Sequence, residues 1–175
     1  MVSERLPTRE QSIVLLKDNG CSDRVISHCI AVAELSLEIA NKLQKKGVTV
    51  NLALVEAGAL LHDLGRSKTH SVDHAVVGAQ IAKAIGLPDS IIKIIKRHVG
   101  AGITAEEAKW LGWADDVYVP QSLEEKIVSY ADKLIDKSER ISIETEIKRL
   151  EGENKGEAAQ RVRKLHAEMT ELLGN

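Results

Sequence analysis

Leu60-Leu61-His62-Asp63-Leu64-Gly65-Arg66 is the stretch that decides how this chain folds. It ends an apolar run with helical spacing (Leu52, Val55, Leu60, Leu61, Leu64), and Gly65 is expected to stop that helix in the left-handed conformation. A histidine and an aspartate stand side by side there, among leucines. Aspartate is seldom buried unless it is paired or bound to a metal. An imidazole and a carboxylate on one turn suit a divalent ion such as Mn²⁺, Fe²⁺, Zn²⁺ or Mg²⁺. The bland alternative is a capped helix end with a hydrogen-bonded histidine. The dipeptide alone does not separate the two.

Outward from this stretch, every strong periodic signal is helical, and strand alternation and hairpin dipeptides are missing. Pro7 opens a first short helix that ends at Asn19-Gly20. Ser22 or Asp23 caps a long one, with Val25, Ile26, Cys29, Val32, Ala33, Leu37, Ala40 and Leu43 on its apolar side, ended by Gly47. Asn51 caps the helix that carries His62 and Asp63. A polar loop follows from Arg66 to Val72, and Asp73 caps a helix closing at Gly86. Pro88 opens the next, which runs to His98. Thr104 with Glu107, and Ser122 with Glu125, read as capping boxes. Between them, Trp110 to Pro120 is the most loop-like internal segment and holds Trp110, Trp113 and Tyr118. The tail from Ser142 reads as two helices broken near Gly152 to Gly156. The expected architecture is all-α, a single helical bundle with short connections.

Composition narrows the function. The chain has 175 residues, enough for one domain with a real core. Net charge is -2, so no global basic field attracts nucleic acid. Aromatics are 2% of the residues and Phe is absent, which disfavours a stacking platform for single strands. Cys21 and Cys29 form no CxxC pair, which fits a reducing cytoplasm and argues against a thiolate zinc site. Met1 to Pro7 holds no apolar signal segment, and no apolar run approaches the ~20 residues of a membrane span. A cytoplasmic protein without a membrane partner is expected.

Several ligand-type residues fall on inward faces. His28 lies three after Val25 and four before Val32. His98 lies seven after Ile91 and four after Ile94. Asp132 lies four after Val128 and three before Ile135. One inward histidine is ordinarily a satisfied core residue. Several on separate helices of a small bundle can converge on one point, which is how helical metal sites are built.

With these residues in view the chain resembles the HD-domain metal-dependent phosphohydrolases. His28, then His62-Asp63, then Asp132 is similar to their H…HD…D signature, and His62-Asp63-Leu64-Gly65 to its HDIG variant. His74-Ala-Val-Val-Gly78-Ala resembles the H-x-x-x-G-A element of members with two metals, and His98-Val99-Gly100 their later H-x-G element. Glu124 to Lys133 resembles the helix around the last aspartate. The resemblance covers roughly residues 20 to 140, as the core of a single HD domain spanning 1–175 with a helical extension from about 141 to 175. It implies that His28, His62, Asp63 and Asp132 bind one divalent metal. Asp63 would bridge to a second, held also by His74 and His98; a single metal at the first group is the alternative. Ligands without thiolate favour Fe, Mn, Co or Ni as readily as Zn or Mg. Two such ions clamp a phosphoryl group and activate a water.

The resemblance further implies hydrolysis of a phosphate ester of a small metabolite, with a nucleotide the most plausible substrate. A phosphodiesterase acting on a cyclic nucleotide or a dinucleotide polyphosphate is the nearest alternative, and a non-catalytic nucleotide-sensing module another. Asp63, Arg66 and Lys133 are the expected catalytic residues. Many HDIG members have Lys where this chain has Arg66, and Arg cannot serve as a general acid or base, so Arg66 is expected to bind phosphate. The GYP-type motif of cyclic-di-GMP phosphodiesterases is absent, which disfavours that substrate. Lys68 and Arg97 also flank the ligands and could orient phosphate. His70 could replace His74. Trp110, Trp113 and Tyr118 could form a lid that stacks a nucleobase, with anchors that pin the loop to the core as the other reading. His166 reads as structural, and the amphipathic tail around it could carry a homodimer contact.

Overall fold

The computed structural model describes residues 5–174. The expectation about the N-terminus rests partly on residues 1–4, which lie outside the described residues. Among those described, nine α-helices and one minimal hairpin form the fold: α1 Arg9–Asp18, α2 Asp23–Lys45, α3 Leu52–Leu61, α4 His74–Ala84, α5 Asp89–Arg97, α6 Ala105–Trp110, α7 Leu123–Lys133, β1 Ile135–Asp136, β2 Glu139–Arg140, α8 Ile143–Gly152 and α9 Gly156–Leu173. The all-α expectation holds. No helix is long and apolar enough to cross a membrane among the described residues.

Helix α3 is the axis. Its sequence is apolar nearly all round, as a helix enclosed on every side must be. Leu60 packs in a cluster with Val32, Leu43, Ile127, Val128, Leu165 and Met169. Leu61 and Leu64 pack in a second cluster with Leu16, Ile26, Cys29, Ile91 and Ile95. The C-terminal end of α3 therefore emerges at the seam between two core clusters, and His62-Asp63 sits there. Helix α9 lays Val162, Leu165 and Met169 back on the first cluster.

Several local expectations need correction. Gly65 is not left-handed; it lies in a 3-10 turn, Leu64–Ser67, directly after α3. Its lack of a side chain serves close approach instead. A Cβ there would collide with the backbone carbonyl of His74 and stand 2.7 Å from the Gly78 nitrogen. Pro7 lies outside α1, which begins at Arg9 and is capped by Thr8. Asp73 makes no capping hydrogen bond to α4; its carboxylate accepts from Trp113 Nε1 at 2.8 Å. Ser122 caps α7, but Glu125 turns away to accept from Gln121 N at 2.7 Å, so only half the expected box forms. The hairpin β1–β2 was not expected, because Lys137-Ser138 carries no glycine or asparagine to announce a turn that needs positive φ at Lys137 (55°).

Candidate functional site

Four histidines are oriented by one device, with each ring's Nδ1 paired to a backbone carbonyl. His62 Nδ1 donates to Ala59 O at 2.6 Å, His74 Nδ1 to Ser71 O at 2.7 Å, and His98 Nδ1 to Ile95 O at 2.7 Å. Each of these carbonyls lies three residues back. His62 and His98 are C-caps of α3 and α5, where a helix leaves carbonyls without partners. His28, in mid-helix, has no such local partner. Its Nδ1 donates instead to Lys137 O at 2.7 Å, on the hairpin turn. With Nδ1 committed, the Nε2 of a neutral ring carries the lone pair. All four Nε2 atoms are thus turned toward Asp63 and Asp132.

Asp63 divides the cluster. Its Oδ1 lies 3.1 Å from His74 Nε2 and 3.5 Å from His98 Nε2. Its Oδ2 faces the other way, 3.8 Å from His62 Nε2 and 3.9 Å from His28 Nε2. Asp132 Oδ1 completes that second side, 3.0 Å from His28 Nε2 and 3.4 Å from His62 Nε2. The six expected ligands, His28, His62, Asp63, His74, His98 and Asp132, therefore meet at one point, drawn from α2, α4, α7 and the ends of α3 and α5. His74 takes the place in the cluster, while His70 is exposed.

The cluster is short of positive charge. His62 Nε2 is buried without a hydrogen-bond partner. His74 and His98 Nε2 lie 3.1 Å apart, so two neutral rings pinned at Nδ1 would set lone pair against lone pair. Burial disfavours the charged form of His62, yet Asp63, Cys29 and Asp132 outweigh it and raise the ring well above its ordinary pKa. Burial, with the neighbouring His62 and His74, pushes His98 down to about 4 despite Asp63. Burial opposes ionisation of Asp132 too, but Lys133, His28 and His62 hold it well below the usual carboxylate range. A divalent cation answers each of these needs. His28, His62 and Asp132 bring donor atoms within 4.8 Å of one another, as do His62, Asp63 and His98. The donor set is fit to hold such an ion.

Two cations brace the carboxylates. Arg66 Nε donates to Asp63 Oδ2 at 2.9 Å and its Nη1 to His70 O at 3.1 Å. Lys133 Nζ lies 2.7 Å from Asp132 Oδ2, leaving Oδ1 for the histidines. Both line a cavity of about 440 Å³ over His28, Asp63 and Asp132, and both also line an adjoining groove of about 850 Å³. The structure does not bring Arg97 to the site. Arg97 is buried, its Nη1 3.0 Å from both oxygens of Glu125 and its Nε donating to Val117 O at 3.1 Å. Lys68 is exposed and lines neither cavity. Trp113 and Tyr118 are anchors, their ring centroids 4.9 Å apart. His166 is structural, its Nδ1 2.8 Å from the Tyr130 hydroxyl.

Sequence reasoning missed the Lys137 carbonyl, which orients His28, and Arg149, which lines both cavities. A main-chain acceptor on a turn leaves no residue-type signature. Arg149 lies in a tail that shares no motif with the ligand helices.

The HD domain family pattern matches residues 25–135. An uncharacterized protein of Methanocaldococcus jannaschii, MJ0778, is 46% identical over 142 residues, 81% of this chain and 83% of that one. A tRNA (cytidine(56)-2'-O)-methyltransferase of Picrophilus torridus is 39% identical over 169 residues, 97% of this chain; the chain spans only 48% of that relative. Among solved structures, the HD domain of the L. monocytogenes phosphodiesterase PgpH, in complex with cyclic-di-AMP, superposes with a TM-score of 0.56 over 91% of this chain and 96% of that one. At 20% identity that likeness speaks to the fold. By the family match and by the site residues that the fold assembles, the chain belongs to the HD domain family.

Proposed function

We propose that this chain is a metal-dependent phosphohydrolase acting on a small phosphorylated metabolite, a nucleotide foremost. The observation that carries the reading is the division of Asp63: one oxygen turned to His74 and His98, the other to His28 and His62. That is the placement a carboxylate shared between two cations requires. His28, His62, Asp63 and Asp132 would hold one divalent ion, and Asp63, His74 and His98 a second. Bound there, the ions would supply Lewis acidity toward phosphate oxygens and lower the pKa of water.

The remaining chemistry belongs to the chain. The backbone carbonyls on Nδ1 fix each ring's tautomer and direction before ligand arrives. Lys133 Nζ engages Asp132 Oδ2 and leaves Oδ1 facing the histidines. Arg66, anchored to Asp63 by Nε and lining both cavities, would bind the substrate phosphate and balance charge that builds on it. Asp63 is engaged on both oxygens and is a ligand, not a free base.

A second reading keeps the site and changes the ester: a phosphodiesterase. The groove of about 850 Å³ that adjoins the smaller cavity gives room for a second ester substituent. The PgpH likeness points the same way. Turnover of matched mono- and diester nucleotides separates the two.

The test of the common mechanism is Asp63→Ala. Loss of bound metal together with a fall in phosphate release of roughly a hundredfold or more is expected; even outer partners of metal ligands are felt at 10–100-fold. An Asp63→Ala protein that turned over normally would remove the mechanism.

A further inference from the structure

The two tryptophans of the 103–118 segment have opposite fates. Trp113 donates its indole N–H to Asp73 at 2.8 Å and packs on Tyr118. Trp110, at the C-terminal end of α6, is 86% exposed and is the largest exposed apolar side chain among the described residues. An indole is a large apolar surface that gains by being covered. It lines the larger groove, which Arg66, His74 and Lys133 also line.

Charge sorts the two cavities. Around the smaller one, Arg24 and Lys137 make no ion pair among the described residues, and Arg66 and Lys133 are beside them. Of the cations that line only the larger groove, Arg161 lies 3.0 Å from Glu107 and Lys155 2.6 Å from Glu153. A ligand with one anionic end and one uncharged planar end matches this gradient. A nucleotide has that form, and about 850 Å³ is ample for its base and sugar.

We propose that Trp110 is the stacking platform for the base of a nucleotide whose phosphate lies at the His/Asp cluster, across a groove walled by α8 and α9. The phosphate end rests on the hydrolase reading; the base end does not. Trp110 lies inside the 25–135 family match, while Arg149, Asn154 and Arg161, which line the same groove, lie beyond it.

The test uses the metal-loaded protein, with AMP, GMP, CMP, UMP and the dinucleotide pApA as nucleotides and ribose 5-phosphate as a baseless ester. Stacking on one aromatic is worth about 1–3 kcal/mol, so Trp110→Ala should raise KM for the preferred nucleotide by roughly 5- to 150-fold. Its kcat and its turnover of ribose 5-phosphate should stay within about twofold, and Trp110→Tyr should recover most of the loss. Nucleotide should also quench tryptophan fluorescence in the parent protein and lose that quench in Trp110→Phe. The exposed site lets each variant fold, which its melting temperature checks. Quenching by nucleotide without hydrolysis would keep the base site and discard the hydrolase reading. Hydrolysis indifferent to Trp110→Ala, or a loss shared equally by ribose 5-phosphate, would overturn the base site and leave the hydrolase. A preferred nucleotide that produces no quench would overturn it too.

Discussion

Asp63 and Arg97 are both charged, both buried, and built for different ends. Asp63 is 4% exposed and surrounded by imidazoles, a place that only a cation can balance. Arg97 is 8% exposed and fully answered by Glu125 and the Val117 carbonyl. Removing one partner of such a pair leaves the other charge buried and alone, at about 3–5 kcal/mol. Arg97→Ala should therefore lower folding stability by that amount in denaturant titration, while kcat of the folded fraction stays near the parent value. A large fall in kcat with unchanged stability would return Arg97 to the phosphate site. The contrast marks what the residue string reveals. His62-Asp63 alone also reads as a capped helix end, and the ordered set of His28, His74, His98 and Asp132 around it is what points to a shared site. Arg97 adjoins His98 in sequence and so invited the same reading. Its direction is fixed by Glu125, twenty-eight residues on, and no local pattern encodes that pairing.

At the scale of elements, the site depends on how closely α4 approaches the end of α3. Gly65 and Gly78 face each other there, with the Gly65 nitrogen 2.9 Å from where a Cβ on Gly78 would stand. The obstacle to a side chain is backbone, which cannot rotate away. Gly65→Ala should cost about 3 kcal/mol in stability and, by pushing α4 outward, separate His74 from Asp63. Thermal melting and metal titration of the variant check both effects. A variant with parental melting and metal affinity would show that the approach is slack. The helices themselves were legible, since apolar spacing and caps mark α2 and α3, Pro88 opens α5 and a capping box opens α6. The function of Gly65 was not. A glycine after a helix reads as a left-handed stop, and close approach by a distant backbone leaves no trace in the neighbouring residues. The hairpin was hidden for a related reason: its pairing is two residues long and its turn lacks the usual residue types.

For the whole molecule, the ligands come from five separate segments that close around α3. Metal bound there would tie two core clusters together, and a tightly held ion at 1,000 times its dissociation constant adds about 4 kcal/mol to the folded state. The order of the motif elements along the chain was enough to assemble five of those segments in advance. The groove was not foreseen, because it forms where α8 and α9 fold back over the 100–118 segment, and amphipathic helices at a chain's end do not announce where they dock.

If six side chains hold two metals, metal content per chain reads it out. The protein is purified anaerobically without chelator or a metal-binding tag, reconstituted with Fe, Mn, Co, Ni, Zn or Mg, and measured by elemental analysis. About two equivalents per chain are predicted, falling together in Asp63→Ala. A protein that retains no metal after reconstitution with any of these ions would contradict the account and leave the histidine cluster a hydrogen-bonded core.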